Sequence, residues 1–196
     1  MKQGNIERIY LGLLSHIMTI EYEYYDWTSL IDVTQRKNIV QDIDQVIAQG
    51  NYWKNSPPYQ TDINIFGLQS EHWNNLKMSF IWSCFAYMKQ ERQIKTIKSW
   101  GYKTNLDTQE DRDNYWHQHL RDDSIVLSGV YYAKLPFDCN TATSGTELAH
   151  TTPEGTTEYV PACQGHWLIF PGKTWHRPGV LESNDWRYVV AADMEI

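Results

Sequence analysis

Apolar positions recur at helical spacing in the first half of the chain. Within "TQRKNIVQDIDQVIAQG" they lie three or four residues apart, at Ile39, Val40, Ile43, Val46 and Ile47. This spacing places them on one face of a helix. We expect Thr34 to cap this helix at its start and Gly50 to end it.

A second amphipathic pattern follows in "SEHWNNLKMSFIWSCFAYMKQERQ". Ser70 stands where a capping hydroxyl is expected, and one apolar face is formed by Trp73, Leu76, Phe80, Ile81, Cys84 and Tyr87. The prolines of "NSPPYQTDINIFG" predict a loop between the two helices. Before the first helix, "GLLSHIMTIEYEY" alternates in part, which indicates an early strand.

Beyond residue 95 the pattern changes to short β segments: "QIKTIKSWGY", "SIVLSGVYYAKL", "GTELAHT", "TEYVP", "GHWLIFP", "WHRPGVL" and "WRYVVAADMEI". They are rich in β-branched and aromatic residues and are separated by Gly, Pro, Asn or Asp, which is typical of a sandwich or barrel. The chain is therefore predicted to be mainly β with N-terminal helices. We expect a single domain over 1–196, with a helical support region at 1–95 and a β-barrel core at 96–196.

Charge and composition narrow the range of functions. The 196 residues carry a formal charge of −7 and no block of Lys and Arg, so we expect no nucleic-acid partner. No stretch approaches the roughly 18–20 apolar residues of a membrane helix, and the first residues show no signal-peptide cleavage site, so no membrane is expected. Cys84, Cys139 and Cys163 share no CxxC spacing. This favours a reducing cytoplasm, which would be the host cytoplasm if the protein is viral.

The segment "YWHQH" places two histidines one residue apart, ahead of an apolar run. On a strand, residues two apart point to the same face, so His117 and His119 can converge on one point. His176 follows much later, after a Gly-x5-Pro segment and a Pro-Gly turn. Imidazole is a good ligand for iron, zinc, copper or nickel. The three histidines are therefore candidate metal ligands.

The segments "YWHQHLRDDSIVLSGVYYAKLP", "SGTEL", "GHWLIFPGKTWHRPG" and "WRYVV" together resemble the 2-oxoglutarate- and iron(II)-dependent oxygenases of bacterial and phage genomes. These are distant relatives of the prolyl hydroxylases, and the resemblance covers residues 96–196. It implies a double-stranded β-helix, the jelly-roll or cupin-like barrel, holding one ferrous ion. It also implies hydroxylation of a substrate by O₂, with conversion of 2-oxoglutarate to succinate and CO₂.

The same resemblance implies roles for individual residues. His117 and His176 match the first and the distal iron ligands, whereas His119 stands where most of these oxygenases have Asp or Glu. Arg187, eleven residues after His176, matches the arginine that binds the far carboxylate of 2-oxoglutarate. Tyr132 matches the hydroxyl that bonds the same carboxylate. Ser128 is interpreted as structural.

The sequence leaves the substrate open between a small molecule and a side chain. Trp175 and Arg177 flank a proposed ligand and are expected to contact the substrate. Substrate choice in such barrels depends on loops, which carry no recognisable signal here. A homodimer is a further expectation.

Two other classes of protein remain open at this point. A cupin has the same barrel and would hold its metal with the three histidines and Asp123, without using 2-oxoglutarate. A barrel that has lost catalysis would act as a binding protein and would bind metal weakly. Arg187 together with Tyr132 separates these alternatives, because an oxygenase needs both residues and a cupin needs neither.

Overall fold

A computed structural model describes residues 20–53, 59–109, 115–121 and 124–196. Within these ranges the chain forms two α-helices, α1 (Val33–Ala48) and α2 (Glu71–Met88). The strands are β1 (Glu23–Asp26), β2 (Tyr59–Gln60), β3 (Thr96–Thr104), β4 (Val126–Lys134), β5 (Thr146–Ala149), β6 (Thr157–Val160), β7 (His166–Pro171), β8 (Trp175–Pro178) and β9 (Arg187–Glu195). The predicted change from helix to strand near residue 95 is confirmed.

The helix ends follow their capping chemistry. Ser70 caps α2 as predicted, since its hydroxyl accepts from the Trp73 amide. The prediction that Thr34 caps α1 is wrong: Asp32 lies before the helix and its carboxylate accepts from the Gln35 amide at 2.8 Å. A carboxylate there also faces the positive end of the helix dipole. Beyond α1, Gly50 takes a positive φ of 84°, as its predicted place at the helix end requires.

Six strands form a large sheet in the order β1-β7-β4-β9-β3-β2, with every pair antiparallel. Its centre is the long strands β3, β4 and β9, each nine residues long. The register places Ser128 of β4 opposite Asp193 of β9, and Tyr132 opposite Val189. Residues that share a face of β9 are an even number of positions apart, as in Arg187, Val189 and Asp193.

Three strands form a small sheet in the order β6-β5-β8, in which Leu148 lies opposite His176. The two sheets face each other across an apolar cluster that takes residues from both: Val130, Tyr132, Leu148, Val160, Ala162, Leu168, Phe170 and Val189. This is the predicted jelly-roll barrel with helices at its N-terminal side. The strand β1 precedes both helices and occupies one edge of the large sheet.

The helices cover the outer face of the large sheet. Phe80 and Trp73 of α2 and Ile39 and Ile43 of α1 are fully buried there, against residues of β4, β7 and β9. Gly129 lets α2 approach β4, since a Cβ at this position would lie 2.6 Å from the Phe80 ring. No helix in the described ranges has the length and apolarity to cross a bilayer. The prediction of a single domain over 1–196 extends to undescribed residues and stays a prediction.

Candidate metal centre

Two histidines that are one residue apart and a third that lies far along the chain meet at one end of the barrel interior. His117, His119 and His176 each offer a ring nitrogen, and these atoms all lie within 4.8 Å of one another. Their ring centroids are 4.1–5.0 Å apart. His176 is buried and packs edge-on against Phe170, His119 is half-buried, and His117 is exposed. The structure thus brings together the three side chains that the sequence predicts as ligands.

The "HQH" segment brings its two imidazoles together by pairing with a turn. The prediction that it lies on a strand is wrong. His117 makes only an isolated bridge with His176. Beyond that bridge the Gln118 side chain donates to the Lys173 carbonyl at 2.7 Å, and the His119 amide donates to the Gly172 carbonyl at 2.7 Å. The segment therefore runs along the start of β8 and the β7–β8 turn.

Hydrogen bonds fix the tautomers of His117 and His176. The Nδ1 atom of His117 lies 2.7 Å from the Tyr115 carbonyl oxygen, and that of His176 lies 2.9 Å from the Thr174 carbonyl oxygen. A carbonyl only accepts, so each Nδ1 carries the proton and each Nε2 keeps a free lone pair. This is the arrangement that metal-binding histidines show in proteins.

His119 has a different partner for its Nδ1 atom. The Asp193 carboxylate lies 2.5 Å away and the Ser128 hydroxyl lies 3.1 Å away. The same hydroxyl donates to Asp193 at 2.8 Å. Ser128 was expected to be structural, and nothing in the sequence pattern indicated Asp193. Only the pairing of β4 with β9 brings these two residues to His119.

Burial favours the neutral, unprotonated form of two of the three histidines. Loss of water lowers the pKa of His176 well below its ordinary value, and the neighbouring His117 and His119 rings lower it further. Partial loss of water around its ring also lowers the pKa of His117, against the raising effect of the Tyr115 carbonyl. His117 is the more exposed residue, so this effect is weaker there than at His176. A neutral imidazole is the form that binds metal.

Arg187 is the first residue of β9 and is fully buried, with its side chain toward the barrel interior. Its Nε atom donates to the Thr104 hydroxyl at 3.0 Å, and its Nη1 atom donates to the carbonyls of Ser144 and Gly179. Its Nη2 atom is buried and has no hydrogen-bond partner among the described residues. A buried cation with an unpaired donor calls for an acceptor, and a carboxylate suits it best.

Two tyrosines stand beside that arginine. Tyr132 is 1% exposed, and its hydroxyl lies 2.8 Å from the Thr146 hydroxyl. Burial raises its pKa, so the phenol stays protonated and able to donate. Burial also raises the pKa of Tyr102, and the nearby Arg187 charge opposes this shift. The sequence predicted Tyr132 at this place but did not single out Tyr102.

Arg177 and Trp175 lie on β8 beside His176. Alternate residues of a strand face opposite sides, so both point away from the side that carries His176. Arg177 donates to the buried Glu147 carboxylate at 2.8 Å, and its guanidinium stacks 4.4 Å from the centroid of the Trp116 ring. Through these contacts Arg177 connects β8 to β5 and to the residue that precedes His117.

The fold has clear counterparts among solved structures. AviO1 from Streptomyces viridochromogenes Tue57 superposes with a TM-score of 0.65 at 11% identity, over 92% of this chain and 91% of that one. A Pseudomonas putida prolyl-4-hydroxylase gives 0.60 at 12% identity, over 91% and 94%. The epimerase SnoN, solved in complex with Fe3+, alpha ketoglutarate and nogalamycin RO, gives 0.59 at 10% identity, over 89% and 78%.

These likenesses establish that the chain shares the jelly-roll barrel fold of these three structures. No family model matches the sequence. No curated protein matches it either. At these identities, evidence for function has to come from the side chains of this chain.

Proposed function

We propose that this protein is an Fe(II)- and 2-oxoglutarate-dependent dioxygenase that hydroxylates a substrate and releases succinate and CO₂. The observation that carries the proposal is Arg187, whose buried Nη2 atom has no partner among the described residues, inside a barrel that also holds three converging histidines. Metal ligands alone fit several enzyme classes. A buried guanidinium with one free donor suits a cosubstrate that has a second carboxylate.

The histidine cluster fits iron by the chemistry of its donors. His117, His119 and His176 would hold the ion through Nε2, because each Nδ1 is engaged elsewhere. Three protein ligands leave positions open on an octahedral ion, as the iron oxygenases require. The bound iron and 2-oxoglutarate together would supply the activation of O₂.

The remaining groups of the barrel would orient the cosubstrate. Arg187 would pair with its far carboxylate, and the Tyr132 hydroxyl would donate to the same group. The apolar lining from Leu148, Phe170 and Val189 keeps water from this part of the barrel. SnoN, which shares this fold, was solved with Fe3+ and alpha ketoglutarate bound, and this favours the same pair of ligands here.

A dioxygenase of this kind would bind O₂ and a small-molecule or side-chain substrate. Contact of Trp175 and Arg177 with that substrate stays a prediction, since the described contacts of Arg177 are with Glu147 and Trp116. The predicted homodimer and the absence of a nucleic-acid partner also stay predictions. A cytoplasmic location remains part of the proposal and agrees with three cysteines that form no disulfide.

The cupin alternative depends on Asp123 as a fourth ligand, and Asp123 lies outside the described residues. An enzyme of that kind has no use for Arg187 in its present environment. A barrel without catalysis would not need a buried Nη2 atom that has no partner among the described residues, and it would not need three histidines whose Nδ1 atoms are all engaged. We therefore favour the oxygenase.

Turnover of 2-oxoglutarate without an added substrate tests the proposal. Full-length protein with Fe(II), 2-oxoglutarate and O₂ should form succinate slowly, and His176→Ala should abolish this. His166→Ala is the matched control, because His166 on β7 lies outside the cluster. Succinate formation that is equal in wild type and His176→Ala, or absent from wild type, would contradict the proposal.

A further inference from the structure

We propose that Asp193 is a positioning residue that supplies the negative charge missing from the ligand set, acting through His119. This inference rests on the proposed function, since it concerns how the same site holds iron. The sequence has histidine where most of these oxygenases have a carboxylate ligand. The structure places a carboxylate one hydrogen bond farther away, 2.5 Å from the Nδ1 atom of that histidine.

The geometry joins the two residues as one unit. A carboxylate that accepts from Nδ1–H fixes the ring orientation, leaves Nε2 free for metal, and makes that nitrogen a stronger donor. The other two histidines use backbone carbonyls for this purpose, which carry no net charge. His119 is therefore the one ligand candidate among the three whose Nδ1 faces a carboxylate.

Asp193 is itself held in place from the opposite strand. Ser128 lies directly across from it in the β4–β9 register, and the Ser128 hydroxyl donates to the same Oδ1 atom that faces His119. The carboxylate side chain is only 16% exposed, so water screens its charge weakly. A surface carboxylate that met a histidine by chance would have neither the burial nor the second donor.

Trp100 completes the surroundings of His119. Its ring lies edge-on to the imidazole, with centroids 5.6 Å apart. With Trp100 on one side and the Asp193–Ser128 pair behind it, the ring has little freedom to rotate. The consequence is a neutral three-histidine site that receives the charge of a carboxylate through one of its ligands.

Metal affinity without 2-oxoglutarate provides the first test. Full-length wild type, Asp193→Asn and Asp193→Ala should be titrated with Mn(II), followed by electron paramagnetic resonance, and with Fe(II) anaerobically. Loss of such an outer partner typically weakens metal binding by about 10- to 100-fold. We expect the Asn variant to keep the ring orientation but lose the charge, and so to lose less affinity than the Ala variant.

A neighbouring carboxylate gives the matched control. Glu195 lies two residues along the same face of β9, lines a surface cleft together with His119 and Asp193, and accepts from the Ser124 hydroxyl. Glu195→Gln should bind metal like wild type. An equal loss in this variant would mean that any nearby carboxylate attracts the metal to the same extent, and it would overturn the specific role of Asp193.

A charge exchange distinguishes positioning from a merely structural role. His119→Asp places a carboxylate directly at the ligand position and removes the imidazole through which Asp193 acts. Adding Asp193→Asn should then change Fe(II) affinity little in the His119→Asp background, whereas it weakens binding in the wild-type background. A merely structural Asp193 would lower the affinity by the same factor in both backgrounds, and that result would overturn the inference.

The colour of the loaded site gives an independent readout. Wild type with Fe(II) and 2-oxoglutarate should show a weak visible charge-transfer band, and Asp193→Asn should shift it to higher energy because the iron becomes less electron-rich. An unshifted band with unchanged affinity would overturn the role of Asp193 while leaving the oxygenase proposal intact. Failure of wild type to bind metal at all would instead contradict the proposed function.

Discussion

His117 and His176 exchange two backbone hydrogen bonds, with N···O distances of 3.1 Å and 3.0 Å. This pair attaches the "HQH" segment to β8, so that two candidate ligands are positioned by main chain as well as by side-chain packing. The attachment continues at Gly172, whose carbonyl accepts from the His119 amide. Metal affinity should therefore depend on the backbone of the β7–β8 turn.

Gly172→Ala tests this dependence. A Cβ at Gly172 would lie 2.8 Å from the His119 carbonyl oxygen and 2.8 Å from a Val126 methyl carbon, so the two segments must move apart. We expect a stability loss of about 1–3 kcal/mol, as for other overpacked sites, together with weaker Mn(II) binding. Denaturant unfolding and a metal titration measure the two effects.

Gly67→Ala is the control for that substitution, because a Cβ at Gly67 meets no atom within 4 Å. Gly67→Ala should leave both the stability and the Mn(II) affinity close to those of wild type. Unchanged metal binding in Gly172→Ala would show that the turn does not position His119.

Tyr132→Phe should weaken binding of 2-oxoglutarate to the Mn(II)-loaded protein. Loss of one hydrogen bond to a charged group costs about 1.5–3 kcal/mol, or roughly 10- to 100-fold in affinity. Tyr131→Phe is the matched control, because Tyr131 faces the helices on the other side of β4. Calorimetric titration measures both affinities, and equal values in the two variants would remove Tyr132 from the cosubstrate site.

Arg177→Met distinguishes a supporting role from a substrate-binding role. Glu147 is 3% exposed, and removing the cation that faces it should destabilise the metal-free protein by about 3–5 kcal/mol. Glu147→Gln in the same chain should recover much of that loss, since it removes the buried charge. Unfolding midpoints of the single and double variants measure this. Normal stability of Arg177→Met would favour the substrate-binding role.

The metal-free protein should lose stability as the pH falls through about 6.5. The folded pKa of His176 is depressed by burial, so below the ordinary value of 6.5 the unfolded chain binds a proton that the folded protein does not. The loss is about 1.4 kcal/mol for each pH unit until His176 itself is protonated. The more exposed His117 adds a smaller contribution.

Urea unfolding at several pH values measures this dependence. His176→Asn removes the titrating group, and its stability should fall less over the same range. Bound Mn(II) should steepen the decline in wild type, since protons compete with the metal for the same nitrogen atoms. Equal slopes for wild type and His176→Asn would contradict the assignment.

Local patterns predicted most of the fold. Apolar spacing placed both helices, and Ser70 and Gly50 marked ends that the structure confirms. Each β segment predicted beyond residue 95 overlaps a strand of the structure. The error at the start of α1 was local, because Thr34 and Asp32 are both good caps and the sequence does not decide between them.

Long-range pairing could not be predicted in the same way. His119 meets Asp193 and Ser128 only through the β4–β9 register, which joins positions more than sixty residues apart. The convergence of His117 and His119 was expected for a reason that proved wrong, since a turn rather than a strand aligns them. Tyr102 was missed because its proximity to Arg187 depends on the pairing of β3 with β9.

An anaerobic titration with Fe(II) and then 2-oxoglutarate tests the central claim most directly. Chelation of 2-oxoglutarate by ferrous iron in the site should produce a weak visible charge-transfer band in wild type. The band should be retained in His166→Ala, weakened in Arg187→Leu and lost in His176→Ala. Metal binding without the band would contradict the oxygenase and favour a cupin, and absence of metal binding would contradict the metal centre itself.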